Sequence, residues 1–225
     1  MNIARHVKRC ILLALALAGF SGWIVATSAS AEGEAKKNTR CPQQILLIRH
    51  AEKTGDKTDV HLSKKGQERA EVLYQLFVAS KDRPDPFPTP DFIFAASNGK
   101  DSRRPLETVT PLAIRLKLSI NDTYTSKLPT LASPDERKQA NGKDQGMVGL
   151  RDELFGERKY FGKTILVSWR HSTISELAKT LKASKVPARW EDDVFDRVWH
   201  ITYDDQGSAT FLDRPQRLLP GDSEK

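Results

Sequence analysis

The stretch whose reading decides the fold is QILLI, Gln44–Ile48, which runs without a break into Arg49 and His50. A short apolar run with no polar alternation fits a strand buried on both faces of a mostly parallel sheet. Two polar residues at the end of such a strand are costly to place unless a ligand or partner satisfies them. The same arrangement recurs downstream, where TILVSW (Thr164–Trp169) runs into Arg170 and His171.

C-terminal to the first strand, the pattern changes from strand-like to helix-like. In LSKKGQERAEVLYQLFVA, Ser63 is placed as an N-cap, and Ala70, Leu73 and Phe77, with Leu76 alongside, recur at three-to-four spacing. RPDPFPTP (Arg83–Pro90) carries four prolines and reads as an ordered connection, since proline neither continues a helix nor sits in a central strand. DFIFAA (Asp91–Ala96) is expected as a strand and Arg104–Leu116 as a helix. The segment from Asn121 to Gln145 is polar with little periodicity, a possible lid. Beyond it the spacing predicts a helix over Met147–Phe155, the strand Thr164–Trp169, and a helix opened by Thr173 and Glu176 as a capping box. RVWHITYDDQGSATFL reads as a hairpin turning at Asp204–Gly207 that adds antiparallel edge strands. Alternation of this kind indicates an α/β fold: three layers, α/β/α, with a mostly parallel central sheet and an antiparallel edge.

Toward the N-terminus, Arg5, Lys8 and Arg9 precede an apolar run from Cys10 to Ala26 that closes on Ala29-Ser30-Ala31. This is the layout of a secretory signal peptide over residues 1–31, cleaved to leave Glu32 at the new terminus, followed by a polar linker over 32–40 and one domain over 41–225. The alternative is an uncleaved membrane anchor, but Gly19, Ser21 and Gly22 interrupt a run shorter than the roughly 20 apolar residues a span needs. The expected location is periplasmic or secreted, with no stable membrane insertion after cleavage. Loss of Arg5, Lys8 and Arg9 takes the formal charge from +7 to +4, and the remaining cations alternate with acids, which argues against a nucleic-acid partner. Cys10 leaves with the signal, so Cys41 has no intrachain partner and stability rests on packing.

The chemistry collects where strands end, the place where open α/β sheets bind ligands. Arg49 and His50 follow the first strand, Arg104 opens the helix after the second, and His171 follows TILVSW. A histidine nitrogen can attack phosphorus covalently, and a guanidinium neutralises non-bridging oxygens in bidentate geometry. Two arginines and two histidines without metal-ligand spacing point to a phosphate, with no metal and no cofactor expected. His61 and His200 read as structural, with His200 on the strand face opposite Trp199 and Ile201. Glu52 reads as an ion-pair partner orienting Arg49, Lys53 as a solvated loop cation, and Arg170, turned away from the side His171 faces, as a surface ion-pair partner, with an extra anion ligand as the alternative.

These residues resemble the histidine phosphatase superfamily, which includes phosphoglycerate-mutase-like enzymes and phosphohistidine phosphatases. LLIRHAEK is similar to the family's first-strand motif, and the resemblance makes Arg49 a phosphate ligand and His50 the histidine that is phosphorylated. HLSKKGQERA matches a further segment at Leu62, Ser63 and Gly66. RRPLETVTPLA resembles the helix that carries the second phosphate arginine, and its spacing to Thr108 selects Arg104 over Arg103. ILVSWRHSTI resembles the last motif, with His171 as the second pocket histidine. The resemblance implies a phosphoglycerate-mutase-like fold and a phosphatase acting on a phosphate monoester or phosphoramidate of a small molecule or protein. The alternatives are a phosphohistidine phosphatase, a phosphomutase, and a non-catalytic phospho-ligand-binding protein.

The sequence departs from that family at Ser172, where its acid-phosphatase branch carries the aspartate that protonates the leaving group. Asp135, Glu136, Asp152 and Glu153 are the carboxylates best placed to replace it, although each reads first as a solvated charge.

Overall fold

The computed structural model describes residues 40–56, 58–81, 83–97, 102–127 and 146–224. The expected signal peptide, the linker up to residue 39, most of the segment 121–145, and Asp135 and Glu136 lie outside these residues.

Among the described residues six strands form one sheet, in the order β3-β2-β4-β1-β5-β6. They are β1 (Gln44–Arg49), β2 (Phe92–Ala95), β3 (Ile120–Asn121), β4 (Thr164–Trp169), β5 (Arg197–Tyr203) and β6 (Ala209–Pro215). β1 to β4 run parallel, β5 pairs antiparallel with β1, and β6 closes the hairpin on β5. β1 and β4 are buried at every position, as their unbroken apolar runs require. The α/β class, the mostly parallel centre and the antiparallel edge are thus as expected. The two-residue strand β3 was not: the alternating Leu116, Leu118 and Ile120 run on directly from α2, and the strand is defined by pairing with Ile93 and Phe94 of β2.

Helices cover both faces. One core packs Ile45, Leu47, Ile165, Val167 and Trp169 against α3 (Met147–Gly156) and α4 (His171–Thr180) through Leu150, Leu154, Ile174 and Leu177. The other packs Leu46, Ile48, Ile93 and Leu166 under α2 (Arg104–Leu116) and the residues Leu73 and Leu76. The helix expected from Ser63 is present as α1 (Lys64–Val72), with the Ser63 hydroxyl accepting from the Gly66 N–H, and it tightens into a 3-10 turn over Leu73–Phe77.

One expected boundary is corrected. Thr173 does not cap a helix, because α4 begins at His171 with Arg170 in the cap position. Thr173 lies inside the first turn and donates its hydroxyl to the Ser126 carbonyl. A tertiary acceptor has taken the group that the capping-box pattern assigned to the helix end.

This topology makes a crevice. After β1 the chain passes to the α1/α2 face, whereas after the neighbouring β4 it passes to the α4 face. The carboxyl ends of β1 and β4 therefore flank the point where adjacent connections diverge.

Candidate active site

Arg49 ends β1 and His50 follows it, its N–H donating to the Trp169 carbonyl at 3.0 Å, which ties the two strand ends together. The His50 ring is buried, and Nδ1 lies 2.8 Å from the Ala51 carbonyl oxygen, a contact in which Nδ1–H must donate. That fixes the neutral tautomer and leaves Nε2 with a free lone pair. Burial drives the His50 pKa down to about 3; the Ala51 bond opposes this, and the charges of Arg49, Arg104 and His171 add to it. At neutral pH the ring is unprotonated, as a nucleophile must be.

The segment after His50 is held from two sides. The Ala51 N–H donates to the Thr108 hydroxyl at 2.8 Å, and that hydroxyl donates to the Arg104 carbonyl one turn back in α2. Gly66 packs α1 against the Glu52 backbone so closely that a Cβ there would lie 2.3 Å from the Glu52 carbonyl oxygen. The Ser63 N–H donates to that same oxygen.

His171 opens α4, with its ring centroid 6.4 Å from that of His50 and edge-on to it. Its Nδ1 is buried without a partner, and burial followed by the charge of Arg49 lowers its pKa. The arginines complete the cluster. Arg49 is 1% exposed and donates through Nη1 to the carbonyls of Glu191, Asp192 and Val194 at 3.0, 2.8 and 2.9 Å, with its guanidinium 3.8 Å from the Phe195 ring centroid. Its Nε and Nη2 are buried without acceptors. Burial lowers its pKa to about 10, so it stays charged at neutral pH. Arg104 starts α2, where Pro105 needs no N–H partner, and donates through Nη1 to the Asp59 carbonyl at 2.7 Å. Its Nε is likewise buried without an acceptor. Buried guanidinium N–H groups without acceptors are costly, and an anion between the strand ends would supply them.

The structure therefore places His50, His171, Arg49 and Arg104 around the crevice at the ends of β1 and β4. The residues beside them differ from expectation in two respects. Glu52 does not orient Arg49: its carboxylate is taken by Arg69 at 2.8 Å and approached by Lys65 at 3.6 Å. Arg170 is half-buried with no carboxylate partner among the described residues, so the expected surface ion pair is absent. Its charge lowers the pKa of Arg104, second only to burial.

Of the carboxylates weighed as proton donors, Asp152 pairs with Arg151 at the surface. Both Glu153 oxygens accept from the hydroxyls of Tyr124 and Tyr160. His61 lies against Glu107 in α2, and His200 Nε2 lies 2.7 Å from Gln44 Oε1, under Phe87 on the face opposite Trp199. Sequence reasoning passed over Asp192, whose Oδ1 lies 3.2 Å from His171 Nε2. The available signal was the acidic run Glu191-Asp192-Asp193 shortly before β5, which returns alongside β1.

No protein-family profile and no curated protein matches the chain. Among solved structures it is similar to the protein histidine phosphatase SixA complexed with tungstate, with 14% identity and a TM-score of 0.46 over 77% of this chain and 97% of that one. It is also similar to phosphoglycerate mutase from Bacillus anthracis str. Sterne, with 17% identity and a TM-score of 0.43 over 79% and 94%. A third is mycobacterial glucosyl-3-phosphoglycerate phosphatase, with 14% identity and a TM-score of 0.41 over 76% and 97%.

Proposed function

We propose that this chain is an exported phosphatase of the histidine phosphatase type, acting through a phosphohistidine on His50. The observation that carries the reading is the state of His50: a buried neutral ring whose Nδ1–H is committed to the Ala51 carbonyl, leaving Nε2 to react among unpartnered guanidinium groups. Nε2 attacks phosphorus, the bond to the leaving group breaks, and Arg49, Arg104 and His171 hold the non-bridging oxygens as charge shifts. Water then displaces phosphate from His50. The protein's own cations supply the electrostatic stabilisation in this scheme, so it requires no metal. Export rests on the charged, apolar and small-residue layout of residues 1–31.

The leaving group limits the substrate. Asp192 is the carboxylate within ion-pair reach of a site histidine among the described residues, and its side chain is 87% exposed. Its place in solvent is not that of a donor enclosed against the leaving group. Aryl phosphates, whose phenolates leave with little protonation, and phosphoramidates, whose nitrogen can take its proton from solvent before the P–N bond breaks, fit better than alkyl esters or a finely matched mutase substrate.

Labelling tests the mechanism. Wild-type protein exposed to a labelled aryl phosphate should acquire acid-labile phosphate, and His50→Ala should acquire none. Label that persists on His50→Ala rejects the mechanism; phosphate binding without label or turnover on the wild type replaces it with a non-catalytic phospho-ligand-binding protein.

A further inference from the structure

We infer that Arg170 binds a second anionic group of the substrate, on the α2 side of the crevice, so that the preferred substrate is a phosphate compound carrying another negative charge. This inference rests on the phosphate-pocket reading above and extends it to substrate class.

Along β4, Ile165, Val167 and Trp169 face the α3/α4 core and Leu166 faces the α1/α2 core. Arg170 keeps extended dihedrals, φ −88 and ψ 133, so alternation turns its side chain to the α1/α2 face, where Arg104 begins α2. Its Nε is buried with no acceptor, and among the described residues no carboxylate pairs with it. Nothing among the described residues therefore offsets the cost of bringing this guanidinium close to that of Arg104.

The number of charges points to a second anion. A phosphoryl dianion is matched by Arg49 and Arg104: the buried Nε and Nη2 of Arg49 and Nε of Arg104, with His171, already supply donors for its oxygens. Arg170 is surplus to that set. A carboxylate or a second phosphate on the same substrate would take the fork of Arg170 and relieve its repulsion with Arg104.

Steady-state kinetics with phenyl phosphate and with ortho-, meta- and para-carboxyphenyl phosphate test this. Wild type should favour at least one carboxylated isomer through a KM lower by about tenfold, the order of one charge-assisted contact. Arg170→Gln should abolish that preference while moving kcat and the KM for phenyl phosphate by less than about twofold, the signature of lost uniform binding. Arg170→Lys, which keeps the charge, should restore part of it. The inference is overturned if no isomer is favoured, or if Arg170→Gln raises KM for phenyl phosphate as much as for the carboxylated esters. If wild type turns over no ester and binds no inorganic phosphate, the pocket reading itself fails, a result distinct from either of these.

Discussion

Arg69 and Arg49 are both almost wholly buried, 2% and 1% exposed, and the protein treats them in opposite ways. Arg69 uses its whole fork. Nε and Nη2 reach Glu52, Nη1 and Nη2 reach Asp222 at 2.8 Å, and Nη1 also reaches Gln216. Burial would lower its pKa, but the bonds to Asp222 and Glu52 outweigh burial and raise it. Arg49 has only main-chain carbonyls on one nitrogen, keeps two nitrogens unpartnered, and has its pKa pulled down. A saturated guanidinium ties α1 to the C-terminal segment; an unsaturated one, equally buried, is the one the proposed function assigns to an external anion. The difference marks structure against function more clearly than burial or residue type does.

The largest test of this contrast removes the saturated partner. Arg69→Met leaves Glu52 and Asp222 as buried carboxylates without their cation, and should cost about 3–5 kcal/mol in urea unfolding. Arg49→Met orphans no carboxylate, so its loss of stability should be clearly smaller while phosphate binding falls sharply in titration calorimetry. A larger loss for Arg49→Met than for Arg69→Met would break the contrast.

Next in size is stabilisation by ligand. Inorganic phosphate at about one hundred times its dissociation constant should stabilise the wild type by about 2.7 kcal/mol. At that same phosphate concentration, most of the gain should disappear in Arg104→Ala, read as the shift in unfolding midpoint.

Acid should separate the two regions by pH window. His50 and His200 have pKa values lowered to about 3 and about 4, chiefly by burial, so below about pH 6.5 the unfolded chain binds protons that the folded one does not. Stability should therefore fall as pH drops from about 6.5, by about 2 kcal/mol for each of the two histidines at pH 5. Asp222 behaves differently. Burial opposes the shift, yet the bond from Arg69 lowers its pKa, so its contribution holds above the unfolded carboxylate range and is lost only below it. His50→Ala should flatten part of the upper window and leave the lower one in place, as followed by urea midpoints across pH.

The smallest effect expected is at Asp192. Its exposed carboxylate faces His171 where an anion would bind, so Asp192→Asn should tighten phosphate binding by less than about 1 kcal/mol, a bound typical of exposed pairs. Weaker binding in that variant would mean that Asp192 supports the site instead of competing for it.

What was legible in the sequence was what burial writes into residue choice. β1 and β4 are buried on both faces, so their apolar runs marked them, and the Arg104–Leu116 helix carries its buried stripe at Thr108, Val109, Leu112 and Ala113. Arg49, His50, Arg104 and His171 could be singled out because a polar residue at the end of such an element needs a reason. β3 was passed over because the alternation of Leu116, Leu118 and Ile120 runs on from the α2 stripe and only Ile120 and Asn121 pair with a neighbour. The start of α4 was misplaced because Thr173 carries a capping signature that the Ser126 carbonyl overrides. Glu52 was assigned to Arg49 by proximity along the chain, whereas its partner Arg69 lies 17 residues away, on α1.

By itself, then, the sequence determined the α/β class, the central strands and the residues that carry the candidate chemistry, because hydrophobic periodicity and strand-end polarity are local properties. Which arginine would be saturated and which left open was decided only in the tertiary structure. Arg49 is held by the carbonyls of Glu191, Asp192 and Val194, and a main-chain acceptor carries no side-chain signature. Arg69 meets Asp222 across 153 positions, and Arg170 meets no carboxylate among the described residues. Such pairings depend on where the fold brings distant segments, a property of the packed chain that no local pattern encodes.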